Sequence, residues 1–219
     1  MKRLFSLSIA RSALAITSCS KTTIRGEGST VSETRQLQEF AKIEANGSTD
    51  IEILPASTNS VVLTGYGNLI PAYDTRISGD RLILEFKDEY INVRNNNLKI
   101  TVYTNGITDA SLNGSGNMYF AADIPTEQMD ADINGSGKIS FDRNVFVNAS
   151  YKINGSGEID ARKAEADHAH ATISGSGDID LTATKSLNNK ISGSGTIDYW
   201  GNPGSITTDI DGSGKVRKN

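Results

Sequence analysis

The stretch Ile153-Asn154-Gly155-Ser156-Gly157-Glu158-Ile159-Asp160, INGSGEID, recurs with small changes as INGSGKIS from Ile133 and as ISGSGDID from Ile173. Gly-Ser-Gly units begin at Gly114, Gly135, Gly155, Gly175, Gly193 and Gly212, at intervals of 21, 20, 20, 18 and 19 residues. A period near twenty is the mark of a stacked solenoid. Two residues before each unit stand Leu112, Ile133, Ile153, Ile173, Ile191 and Ile210, and four after its first glycine stand Met118, Ile139, Ile159, Ile179, Ile197 and Val216. Apolar residues alternating on both sides of a glycine pair spell strand, corner, strand. Gly accepts the positive φ that such a corner needs, and the preceding Asn, Ser or Asp suits a turn.

Two architectures can use this pattern. In an antiparallel β-hairpin array each Asn-Gly is a hairpin turn. In a parallel β-helix each unit of about 20 residues is one coil, stacked on the next at about 4.8 Å. The likeness of the copies favours the all-β parallel β-helix. There, equivalent positions touch, so Ile stacks on Ile and Ser115, Ser136, Ser156, Ser176, Ser194 and Ser213 form a ladder. In a hairpin array they lie two strands apart and need not match. Upstream, EFAKIEANGSTDIEI (39–53) reads as a degenerate copy with Asn46-Gly47-Ser48 as its corner. SVVLTGYG, DRLILEFKD and NLKITVYTNGITDASL read as strands of further coils. The expected domain is 36–219, irregular over 36–113 and regular over 114–219. It amounts to about nine coils and a rod about 40 Å long.

The chain of 219 residues is long enough to bury a core, and its net charge of −4 gives no general pull toward nucleic acid. It opens MKRLFSLSIARSALAITSCSKTT: two cations, then a largely apolar run from Leu4 to Ser18, too short to span a bilayer and suited to export. The sole cysteine, Cys19, closes that run. Ile16-Thr17-Ser18-Cys19 resembles the bacterial lipobox, although Arg11 interrupts the apolar stretch. Residues 1–18 are then a signal peptide of lipoprotein type, or an ordinary one. Residues 19–35, polar and without periodicity, read as a flexible tether from a lipidated Cys19.

EFAKIEANGSTDIEI, the serial INGSG-x-I units and IDYWGNPGSITTDIDGSGKV (197–216) together resemble the head GIN domain family, labelled auto-transporter adhesins and common in Bacteroidetes. The match runs from about Glu39 to Val216. The resemblance implies a right-handed β-helix and an exported, often lipid-anchored protein. It brings no catalytic residues.

Several motifs imitate other chemistry. The GSGK at Gly135 and Gly212 lacks the hydroxyl residue that follows the lysine of a phosphate loop, since Ile139 and Val216 stand there. The residue after GSG is Asn117, Lys138, Glu158, Asp178, Thr196 or Lys215, and a slot that takes lysine twice is no calcium ligand. His168 and His170 share one face of HAHATI, with Asp167 the one acid beside them, and read as solvated side chains rather than a metal site. Asp160, Asp180 and Asp198 recur at one repeat position, with Trp200 close by. They form a candidate acidic strip for a cation or a ligand, or paired carboxylates as in polysaccharide-degrading β-helices. Like charges so close repel, so one should titrate high or take a counter-ion. No cofactor is called for. The expected protein is a non-enzymatic envelope module that binds a polysaccharide or an envelope protein and meets the membrane through its lipid alone. The alternative is a carbohydrate-active enzyme on the same scaffold.

Overall fold

The computed structural model describes residues 22–219, so the expected signal peptide and Cys19 lie outside the described residues. The early strands are β1 (Thr22–Arg25), β2 (Thr30–Gln36), β3 (Lys42–Gly47), β4 (Asp50–Pro55), β5 (Ser60–Tyr66), β6 (Tyr73–Ser78), β7 (Arg81–Phe86), β8 (Tyr90–Arg94) and β9 (Lys99–Thr104). A 3₁₀ turn, Ile70–Ala72, separates β5 from β6. The repeat region comprises β10 (Asp109–Gly114), β11 (Asn117–Phe120), β12 (Gln128–Gly135), β13 (Lys138–Phe141), β14 (Asn144–Gly155), β15 (Glu158–Gly175), β16 (Asp178–Gly193), β17 (Thr196–Trp200), β18 (Ser205–Gly212) and β19 (Lys215–Lys218).

From β10 onward every pairing is parallel, which decides for the β-helix and against the hairpin array. The glycines Gly47, Gly114, Gly135, Gly155, Gly175, Gly193 and Gly212 stand in register, one above the next. In β15, inward and outward residues alternate except at Arg162–Lys163 and Asp167–His168, where two successive side chains face out. With the glycine corner these breaks divide a coil into three faces. The first follows the corner, the second spans Ala164–Ala166, and the third leads into the next corner. Inside, Ile139, Ile159, Ile179 and Ile197 stack in one column and Ile133, Ile153, Ile173 and Ile191 in another, all buried. Phe120 stacks on Phe141 at 4.6 Å between centroids.

Both glycines of a corner are required. Gly155 has φ +134°, and a Cβ there would run into the carbonyl oxygen of Gly135 in the coil beneath. That oxygen already accepts the amide of Ser156 at 2.9 Å. A Cβ on Gly157 would meet the carbonyl of Gly137 and the side chain of Ile133. The side-chain ladder runs through the asparagines. Asn154 donates to Asn134 at 2.8 Å, Asn134 to Asn113 at 2.8 Å and Asn113 to Asn46 at 2.9 Å. Asn46 in turn donates to the Glu85 carboxylate at 2.7 Å. Amide dipoles aligned toward an anion reinforce one another. The expected serine column is in register, and its hydroxyls meet at Ser194 and Ser213, 3.1 Å apart.

Residues before β10 depart from expectation. The solenoid has about six turns, not nine. The coil of β3 and β4 stacks directly on β10 and β11, so residues 56–108 are an excursion between two touching coils. Within it, β7 pairs with the far side of β3 and β9 with the far side of β4, forming a coil that precedes β3–β4 in space but follows it in sequence. Antiparallel strands then close this end: β5 on β9, β2 on β5 and β6 on β7. The expected tether is likewise corrected from Thr22 onward, because β1 pairs with β8 and β2 with β5. Main-chain hydrogen bonds hold these polar strands, so their composition gave no sign of order.

Candidate functional site

The first face brings the predicted acids together. Asp160, Asp180 and Asp198 are direct register partners in successive coils. Two arginines cover the column. Arg162 grips Asp160 with Nε to Oδ1 at 2.9 Å and Nη2 to Oδ2 at 2.6 Å, and its Nε lies 3.5 Å from Asp180. Arg217 grips Asp198 with two bonds of 2.7 Å. The guanidinium of Arg162 sits 5.9 Å from the centre of the Trp200 ring, within cation–π range. Its place follows from coil length. The twenty-residue coil lies on one of eighteen, and register slips between Ala161 and Glu165, leaving Arg162–Ala164 as a bulge at the corner.

Charge on the strip is therefore divided. The hydrogen bond from Arg162 holds the Asp160 carboxyl below the usual range. Asp180, between two aspartates, is pushed up by burial and by Asp160, Asp198 and Glu158, against the pull of Arg162. The arginines were missed by the sequence reading, yet the signal was present. Arg162 lies two residues from Asp160 on an alternating strand, and Arg217 occupies the same repeat position as the aspartates.

A shallow groove of about 440 Å³ continues this face, lined by Tyr119, Lys138, Phe141, Asp160, Arg162 and Lys163 among others. Its lysines are paired: Lys138 with Glu158 at 2.6 Å and Lys163 with Asp142 at 2.7 Å. The third face carries a second shallow groove of about 330 Å³ beside the asparagine ladder. There Arg81 binds Asp109 at 2.9 Å, and burial raises the Asp132 carboxyl. His168 and His170 lie on this face. His168 Nδ1 is 2.8 Å from Ser186 Oγ, and Asp167 is engaged by Lys185 at 2.7 Å. Among the described residues no group of three or more His, Cys, Asp or Glu side chains is arranged to hold a metal ion.

The corner glycines Gly114, Gly135, Gly155, Gly175, Gly193 and Gly212 build the scaffold and line neither groove. The result is a β-solenoid with broad, polar, repetitive outer faces whose ionic groups are largely paired with one another. Residues 39–203 match the family described as "Putative auto-transporter adhesin, head GIN domain", and the chain belongs to that family. Solved structures agree in fold. A putative adhesin from Bacteroides fragilis superposes with a TM-score of 0.72 at 20% identity, over 90% of this chain and 100% of the other. A putative lipid binding protein from Parabacteroides distasonis gives 0.61 at 23% identity, over 90% and 100%. A putative adhesin from the same species gives 0.57 at 18%, again over 90% and 100%. No curated protein matches the chain.

Proposed function

We propose that the protein is a non-enzymatic adhesion module of the cell envelope, a rigid rod that holds a polar binding surface away from a membrane by a lipid on Cys19. Membership of an adhesin family supports the adhesive role. The observation that carries the reading is the internal pairing of the strip: Asp160 and Asp198 are each held by two bonds from an arginine, an arrangement suited to a fixed surface rather than to proton transfer. No helix of the described residues is long and apolar enough to cross a membrane. Polysaccharides and envelope proteins are the two ligand classes to test.

One observation favours the carbohydrate-active alternative, namely the raised Asp180 carboxyl near Arg162 and Trp200. An oligosaccharide array read for both retention and cleavage separates the two. Retention without cleavage is expected. Cleavage abolished by Asp180→Asn would overturn the proposal. For the anchor, wild-type protein should enter the detergent phase and incorporate labelled fatty acid, and Cys19→Ala should do neither. Recovery of unlipidated wild type with Met1 intact from the cytosol would remove the envelope location.

A further inference from the structure

The two ends of the rod are finished differently. The early end is closed by antiparallel strands and the 3₁₀ turn. At the late end β18 pairs on one side with β16, and β19 on one side with β17, so both leave their other edge unpaired among the described residues. All of β18 is exposed, including the core-column residues Ile206 and Ile210, at 46% and 40%. An open edge with uncovered apolar positions is a template for another strand.

The sequence of that edge selects its partner. The acids Asp209 and Asp211 stand on β18, and the cations Lys215, Arg217 and Lys218 on β19, with Ser213 at the centre of the corner between them. Counted from Ser213, Asp211 and Lys215 lie two residues to either side, Ile210 and Val216 three, and Asp209 and Arg217 four. The edge is thus its own complement under a two-fold rotation through Ser213. Such a rotation reverses the chain direction and lays β18 of one copy antiparallel to β19 of the other. The three pairs just counted then match, acid with base on the outer faces and aliphatic with aliphatic inside, and the next pair out sets Thr208 against Lys218. Within one chain, among the described residues, neither Asp211 nor Lys215 makes an ion pair, so both are available. Arg217 keeps Asp198 with two of its donors and has others to offer.

We propose that the late end of the solenoid is a homophilic docking surface that joins two copies end to end about a two-fold axis at Ser213. This is an isologous interface, closed at two. The chain enters the fold at the opposite, capped end, through β1 and β2. The joined rod therefore carries its two entry points at its far tips and can bridge two facing surfaces. That consequence rests on the envelope reading above; the pairing itself does not.

The test uses the full chain in detergent, with self-association read by sedimentation and folding by thermal melting. The wild type should dimerise. Asp211→Lys alone and Lys215→Asp alone should each weaken the dimer about tenfold, since each sets like charges opposite one another twice. Mixing these two chains should restore it, because both contacts in the mixed dimer again pair acid with base. Ser213→Cys in a Cys19→Ala background should oxidise to a disulfide-linked dimer, as residues directly opposite in an antiparallel pair come within disulfide reach. Ser176→Cys, at a mid-rod corner, should not. A monomeric wild type, a dimer indifferent to both charge reversals, or no rescue on mixing would overturn the proposal. Failure of lipidation at Cys19 would leave it intact.

Discussion

The early cap and the regular coils stack by one rule and differ in where the stacked partner comes from. In the regular coils each corner rests on the one about twenty residues earlier, so Gly175 lies on Gly155. In the cap, Gly114 rests on Gly47, and Asn113 reaches Asn46 across 67 residues. Gly114 is a corner of the same kind as Gly175, and the cap's hairpin glycine is not. Gly79, in the turn between β6 and β7, has φ +65° and open space where a Cβ would go. Gly175 has φ +135°, and a Cβ there would strike the Gly155 carbonyl. A hairpin turn asks for a conformation; a solenoid corner asks also for contact with its neighbour.

The sharpest way to break that comparison is one substitution at both glycines. Gly175→Ala should cost more than about 4 kcal/mol, combining strain with a clash against fixed backbone. Gly79→Ala should cost about 1 kcal/mol, the strain alone. Denaturant midpoints measure both, and equal losses would mean that backbone contact at the corner is not what fixes the coil.

Second in size is the division between inside and outside on one strand. Ile159→Asp places an unpaired charge at a fully buried site and forfeits about 1.5–3 kcal/mol of apolar burial besides. Glu158→Lys, its neighbour, loses an exposed bridge to Lys138 and should cost under about 1 kcal/mol. Comparable melts for the two would reverse the assignment of faces.

The asparagine ladder joins the two regions, and its loss should be intermediate. Asn134→Ala breaks one bond on each side and should cost about 1 kcal/mol. Asn154→Ser should cost less, because Asn154 sits at the ladder's end and Ser174 fills the same column above it. The measure is thermal unfolding of the two variants beside wild type. A larger loss for Asn154→Ser would show that the ladder does not gain strength toward Glu85.

What the sequence made legible follows the same boundary. The repeat displayed the corners, the inward columns and the aspartate strip, because in a parallel solenoid equal positions touch. It did not display the cap, where β3 meets β7 and β10 on its two edges and the order in space departs from the order along the chain. Antiparallel pairs such as β2 with β5 carry no shared motif, so no count of positions finds them. The arginines of the strip fell between these cases. Arg217 was readable as the next member of the aspartate column, whereas Arg162 owes its reach to a bulge forced by unequal coil lengths.

The smallest expected effect is the most directional. Asp180 has its carboxyl raised, first by burial and then by Asp160, Asp198 and Glu158, with Arg162 opposing. A carboxyl whose folded pKa lies above its unfolded value favours the folded state only while protonated. Below the ordinary carboxylate pKa, near 4, that contribution is complete. It is lost as pH climbs through the raised folded value, so at neutral pH the charge on Asp180 costs stability. Asp160 behaves oppositely. Its pKa is lowered by Arg162, so its contribution is present above the ordinary value and disappears as pH falls through the folded one. Asp180→Asn keeps the shape and removes the charge. It should raise stability by about 0.5 kcal/mol at pH 7 and by nothing measurable at pH 3, where the native side chain is already neutral. A gain that persists at low pH would trace to packing. A loss at pH 7 would mean that Arg162 stabilises the Asp180 carboxylate more than its neighbours and burial oppose it, leaving the strip without its raised member.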